Sequence, residues 1–296
     1  MIDLQVTEHN LRSHTRMLTQ SIGERSVATL WDHEKAAQYI EAFYSEINVG
    51  SKRESYPFRR KTVANIVADI ACAKENSKVV LIGAHYDSLK GTVGADDNAS
   101  AVAVQLELAR TLAGLQATND LNLTVRFVSF ALEEPPAYAT SAMGSRVYAR
   151  KAKKNKEQID GMICLEMVGY TCNQPGCQKY PFPLMFMGYP KRGNYIAIVG
   201  NLRSRKFTNA LFQSFRKNKA LPVEKLTVPW SGYLLPNVRL SDHAPFWDRG
   251  YNAVMITDTA FYRNPHYHRT SDTMDKLDFS FMTQLVHSLA RYVLCQ

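Results

Sequence analysis

Apolar and polar positions along this chain repeat with two periods, one of helices and one of strands, in alternation. Two amphipathic segments open it, around 8–22 and 33–46, the second with Ala36, Ala37, Ile40, Phe43 and Tyr44 on one face. Strand-like runs follow at 63–72 and 78–84. Within 97–115, Ala101, Val104, Leu108 and Leu112 return every three or four positions until Gly114, which predicts a helix. A strand (123–132), a helix (about 141–153), two strands (160–168 and 195–200), a helix (204–218), a strand (251–257) and a closing helix (276–294) complete the series. Such alternation predicts an α/β fold: a mixed, mostly parallel central sheet with helices on both faces. The stretches 170–190 and 229–245 are rich in Pro, Gly and aromatics and read as loops that wall a site. No linker, low-complexity tract or repeat divides the 296 residues. One domain over 1–296 is therefore expected, its N-terminal helices (about 8–48) packed on the sheet.

Three of the apolar runs stop at ligand-type residues. Val79-Val80-Leu81-Ile82 leads into Gly83-Ala84-His85-Tyr86-Asp87-Ser88, Phe127–Leu132 ends in Glu133-Glu134, and Met162–Leu165 ends in Glu166. Ligands of open α/β sheets bind outside the carboxyl ends of the strands, so these groups aim at one place. His85 offers an imidazole nitrogen, and Asp87, two residues on, lies on the same strand side. That spacing suits a carboxylate that orients the imidazole. Asp97, in Gly94-Ala95-Asp96-Asp97-Asn98-Ala99-Ser100 at a helix start, has two oxygens for a metal pair. Adjacent Glu133 and Glu134 point apart, one for a metal and one for proton transfer. Glu166 adds a carboxylate, and His268 lies in the polar loop 264–272. Two imidazoles and three carboxylates fit two zinc ions ~3.5–4 Å apart.

Each piece alone has a plainer reading. Asp97 could cap a helix, Glu133-Glu134 before Pro135-Pro136 could be a solvated strand exit, and Glu166 could pair with an arginine. Their joint occurrence, in the order His, Asp, Glu, Glu, His, favours the metal reading.

On these residues the chain resembles the co-catalytic di-zinc exopeptidases of clan MH, peptidase family twenty-eight, the group of bacterial leucyl aminopeptidases and glutamate carboxypeptidases. The likeness runs from about residue 60 to the C-terminus and rests on HYDS, GADDNAS, LEE, LEMVGY, SDHAPFWDRG and ITDTAFYRNPHYHRTSDTMDKLD. It implies the phosphorylase/hydrolase-like zinc exopeptidase fold and two Zn²⁺ ions. Asp97 would bridge them, Glu134 and His268 completing one site, His85 and Glu166 the other. Glu133 would be the general base, Asp87 the partner of His85, and His266 a loop residue. The family often has Asp where this chain has the longer Glu166, and tends to a cis peptide after the bridging Asp, here Asp97–Asn98.

The implied activity is that of an aminopeptidase: water acidified between the zinc ions loses its proton to Glu133 and attacks the scissile carbonyl. The substrate's free α-amine would sit beside Glu166 and Glu133. A tyrosine of the 170–189 loop, Tyr180 foremost, is expected to donate to the oxyanion. Asp242 and His243 are expected to support the ligands, although Asp242 could equally cap the short helix that follows. Phe246, Phe261 and Tyr262 are candidates to line a pocket for the first side chain, with core packing expected of at least one. Glutaminyl cyclases, acyltransferases on the same fold with a single zinc, usually break the GADDNAS and YH…SDT…LD patterns, both intact here. A non-catalytic, receptor-like homologue would have lost ligands, and none is lost.

Charge and cysteines change this picture little. Against 27 acidic residues, 36 basic ones give +9, with clusters at Arg59-Arg60-Lys61, Arg150–Lys154 and Arg203–Lys206. Without interleaved aromatics or a binding motif these read as solvated helix faces, so peptides rather than nucleic acid are the expected partners. No apolar run approaches the ~18 residues of a membrane span. Met1-Ile2-Asp3-Leu4-Gln5 is unlike a secretory signal, so a cytoplasmic location is expected, or a periplasmic or secreted one if a leader is missing. Cys72, Cys164 and Cys295 read as small buried hydrophobes. Cys172 and Cys177 flank a turn that could bring them together; without a leader, reduced thiols are favoured over a disulfide.

Overall fold

All six residues of strand β5 (Gly161–Glu166) are buried, as befits a strand with helices over both faces. The computed structural model describes residues 3–72, 77–116, 121–182, 185 and 187–295, so the 170–190 loop lies outside the described residues at 183, 184 and 186. Among the described residues one sheet runs β1 (Ser51–Phe58), β2 (Lys61–Ile70), β4 (Thr124–Phe130), β3 (Val79–His85), β5, β8 (Ala253–Thr257), β6 (Ile196–Asn201), β7 (Val223–Val228). The β4-β3-β5-β8 centre is parallel, as is β6-β7. The β1-β2 hairpin joins β4 antiparallel, and β6 runs against β8. The sheet is thus mixed and mostly parallel.

The helices are α1 (Leu4–Arg16, continued by a π turn to Ile22), α2 (Leu30–Glu46), α3 (Ala101–Gln116), α4 (Gly144–Lys154), α5 (Arg205–Phe215), α6 (His243–Asp248) and α7 (Phe279–Leu294). Alternation along the strands divides the core. Ile82, Ile163, Ile198 and Ile256 pack with α2, α3 and α7, while Leu81, Met162, Cys164 and Val199 pack with α4 and α6. The chain leaves β3 through α3 to β4 on one side, then through α4 to β5 on the other. Such a reversal opens a crevice at the carboxyl end of β3.

The basic run Arg150–Lys154 is the exposed face and last turn of α4, where cations suit the helix dipole. Two strands escape the sequence pattern. β1 is mostly exposed and carries Pro57, and β7 is only half-buried; both are edge strands, which bury too little to alternate clearly. The first helix also departs from expectation. It packs on α3 and α7, an outer layer over helices, while α2 lies against β2. Cys172 and Cys177 are joined in a disulfide, against the expectation of free thiols, because the turn through Gly176 (φ +80°) brings their Cα atoms to 6.3 Å. Cys295 is exposed rather than buried. No helix of the described residues is long and apolar enough to cross a membrane.

Candidate metal centre

His85 ends β3, and its ring nitrogens face different neighbours. Nδ1 stands 3.3 Å from Asp87 Oδ1, while Nε2 looks into the crevice. Asp87 also accepts the backbone N–H of Glu133 through one oxygen and that of Glu134 through the other, each at 3.0 Å. One buried carboxylate therefore orients the imidazole and joins the ends of β3 and β4.

Asp97 lies in the turn before α3, and the Asp97–Asn98 peptide is cis. Asp272 accepts the N–H groups of Asp96 at 2.9 Å and Asp97 at 3.1 Å. The Asn98 side chain donates to Leu165 O and accepts from Met167 N, tying the turn to the end of β5. Behind it, fully buried Arg25 donates to the carbonyls of Tyr86, Val93 and Gly94.

Two groups of ligand-type atoms result, His85–Asp97–Glu166 and Asp97–Glu134–His268, with Asp97 common to both. His85 Nε2 stands 3.4 Å from Asp97 Oδ1 and 3.5 Å from Glu166 Oε2. His268 Nε2 stands 3.2 Å from Asp97 Oδ2 and 3.4 Å from Glu134 Oε2. Ligands 2.0–2.2 Å from a tetrahedral zinc are themselves about 3.3–3.6 Å apart, so the spacing suits that ion. His85 Nε2, Asp97 Oδ1 and Glu134 Oε1 are buried without a hydrogen-bond partner. Buried polar atoms rarely stay so, and a cation in each group would satisfy them. Glu133 Oε2 stands further off, 4.0 Å from His85 Nε2, and belongs to neither group.

The electrostatics point the same way. Burial opposes charge on His85, but Glu166, Asp87 and Asp97 override it and hold its pKa well above the usual imidazole range. Burial likewise opposes charge on His268, yet Asp97 and Glu134 lift it to about 10. Burial, then neighbouring Asp97, pushes Glu134 up to about 8. Burial raises Glu133 well above the carboxylate range against the pull of His85, with Glu166 and Glu134 adding to the rise. Carboxylates here outnumber imidazoles, and the excess negative charge calls for cations.

The profile of peptidase family M28 matches residues 65–293. The chain belongs to peptidase family M28. YfbL, an uncharacterized protein of Escherichia coli K12, is 37% identical over 284 residues, 93% of this chain and 84% of that protein. A probable leucine aminopeptidase of Arthroderma otae is 30% identical over 226 residues, 73% of this chain. The match covers 52% of that relative, so the chain spans about half its length. Among solved structures, the Legionella pneumophila LapA aminopeptidase superposes with a TM-score of 0.74 at 18% identity, over 98% of this chain and 72% of that one. A Porphyromonas gingivalis glutaminyl cyclase does so with 0.70 at 17% identity, over 97% of each. At those identities the two structures establish the shared fold.

Of the residues singled out from sequence, His85, Asp87, Asp97, Glu133, Glu134, Glu166 and His268 gather in this crevice. The others divide. Asp242 precedes α6 but makes no side-chain cap; its carboxylate is buried beside the centre, where burial pushes its pKa up to about 7 against the pull of His85. His243 does not support the ligands: its Nε2 lies 2.7 Å from Val238 O and its ring sits edge-on to Trp247. Phe246 is core, packed between Phe130 and Tyr148. Phe261 and Tyr262 do line a cavity of about 110 Å³ that opens beside Glu166. Tyr180 lines it as well, but its hydroxyl donates to Pro190 O at 2.6 Å and meets Tyr195, so it is not aimed at the centre. Tyr267 instead stands against the centre. Its ring stacks on His268 at 3.8 Å, and its hydroxyl feels the charges of Asp97, Glu134, Glu166 and Glu133. Ser241, donating to Glu166 at 2.5 Å, and Asp272 also went unread. The only sequence signal for these was their place inside the SDH and YHRTSD segments.

Proposed function

We propose that this chain is a zinc-dependent aminopeptidase that holds two zinc ions and removes N-terminal residues from peptides, residues 1–296 acting as one catalytic domain. The observation that carries the reading is the reach of one carboxylate to two imidazoles: Asp97 lies 3.4 Å from His85 and 3.2 Å from His268. In this reading Asp97, common to both groups, would serve both ions, with Glu134 and His268 holding one and His85 and Glu166 holding the other. Zinc, when bound there, supplies a Lewis acid and a water of lowered pKa. Glu133, outside both ligand groups, takes the proton and delivers it to the leaving amine. Tyr267 donates to the carbonyl oxygen as it gains charge. Glu166 and Glu133 receive the substrate's free α-amine, which confines cleavage to chain ends. The cavity lined by Phe261 and Tyr262 takes the first side chain.

The test is a panel of aminoacyl-p-nitroanilides and a peptide with N-terminal glutamine, using protein of measured zinc content. Hydrolysis that a chelator stops and zinc restores is expected, with two zinc ions per chain by elemental analysis. Glu133→Gln should lower kcat about 10²–10⁴-fold with zinc retained. Cyclisation of the glutamine peptide without release of residues would make the protein a glutaminyl cyclase instead. Zinc-loaded protein inert on every member overturns the reading.

A further inference from the structure

The cavity beside Glu166 holds an acid at its far wall that the reaction above does not use. Register places it. Glu166 pairs with Thr257 across β5-β8, Thr257 with Ala197 across β8-β6, and Ala197 with Glu224 across β6-β7. Partners on adjacent strands direct their side chains to the same face, so Glu166 and Glu224 stand at the two ends of one row. Three strand spacings separate them, roughly 14 Å between backbones. In that row Thr257 and small Ala197 separate the two glutamates, with Met255, Val199 and Leu226 in the next row.

Glu224 is half-buried at this end, beside the rings of Tyr180, Tyr189 and Tyr195. Among the described residues no hydrogen bond or ion pair meets its carboxylate; the one cation that it feels is Arg216, at longer range. Nearby cations are engaged elsewhere. Lys225 also borders the cavity, but its ammonium leaves by the opposite face, donating to Asn209 at 2.6 Å and lying over Phe212. Arg263 donates to Gln178 and lies over Tyr195. Lys179 donates to Gly176 O. Burial raises the pKa of Glu224, Arg216 opposing, so the apolar wall disfavours a bare anion that a substrate cation would neutralise.

We infer that Glu224 makes this pocket selective for N-terminal lysine and arginine, whose alkyl stems cross the apolar floor while their cationic ends pair with its carboxylate. A long stem with a charged tip suits such a site, since the methylenes bury against apolar walls and the head stays paired. This inference rests on the aminopeptidase reading and assigns its substrate class.

The experiment measures kcat/KM of the zinc-loaded enzyme on lysyl-, arginyl-, leucyl- and norleucyl-p-nitroanilides, for wild type and Glu224→Gln. Lysine and norleucine share the alkyl stem, so their ratio isolates the charge. The wild-type ratio should favour lysine by roughly 10- to 100-fold, the worth of a hydrogen bond to a charged group, and Glu224→Gln should collapse it toward unity. Free L-lysine should also inhibit the wild type more tightly than L-norleucine does, and lose that advantage in the variant. A ratio near unity in the wild type, or one that the variant leaves intact, overturns the inference while leaving the aminopeptidase standing. Failure to hydrolyse any of the four would bring down both.

Discussion

At the scale of single residues, Asp87 shows how much of the centre depends on one buried carboxylate. Its two oxygens accept from Glu133 N and Glu134 N, and one also faces His85 Nδ1. Asp87→Asn keeps the shape but turns one oxygen into a donor facing a donor, with His85 less firmly oriented. Zinc affinity should fall about 10–100-fold, read by competition with a chromophoric chelator. An unchanged affinity would rule out the orienting role. That role was legible from the two-residue spacing of His85 and Asp87 on a strand. Which tyrosine stands against the centre was not legible, because tyrosines at 180 and 267 look alike until a loop path decides whose hydroxyl is spent on Pro190.

Among the elements, the turn before α3 is the most constrained. Gly94 has φ +52°, and a Cβ there would lie 2.1 Å from Asp97 O and 2.8 Å from the Ser88 Cβ. Its carbonyl is held by Arg25 at 3.1 Å. In Gly94→Ala the left-handed backbone alone costs about 1–2 kcal/mol, and relief of the clash must move Asp97. Both a lower urea midpoint and weaker zinc retention are expected; a variant normal in both would show the turn to be tolerant. The long apolar runs identified the central strands and their polar ends because burial on both faces leaves an unbroken signal. Edge strands β1 and β7 carry no such signal, and with β7 went the position of Glu224.

For the whole molecule, three buried imidazoles each set a contribution to stability that is lost in acid. Burial lowers the pKa values of His14, His33 and His243 from 6.5 to about 4 each. At these three sites the unfolded chain binds more protons between those values, so their contribution to stability is complete above pH 6.5 and is lost as pH falls toward 4. Each group contributes up to about 3 kcal/mol of that decline. His33 stacks on Tyr86 with ring centroids 4.6 Å apart, and His33→Phe keeps a ring there without a titrating group. In metal-free protein, urea midpoints measured from pH 7.5 to 5 should shift in the variant's favour relative to wild type as pH falls, since only the wild type protonates residue 33 on unfolding. Parallel slopes would contradict the buried, neutral His33. What the sequence determined by itself was local in kind: helix and strand periods, strand ends that stop at ligand-type residues, and motifs that carry a family resemblance. Tertiary structure alone decided which chain segments meet, as where Asp272 holds the amide of Asp96 from 176 residues away. It also decided that Cys172 and Cys177 pair, that His243 and Phe246 turn from the centre, and that Glu224 faces a cavity. The physical reason is that periodicity records how a segment is buried, whereas a side chain's partner depends on the path of segments remote in the chain.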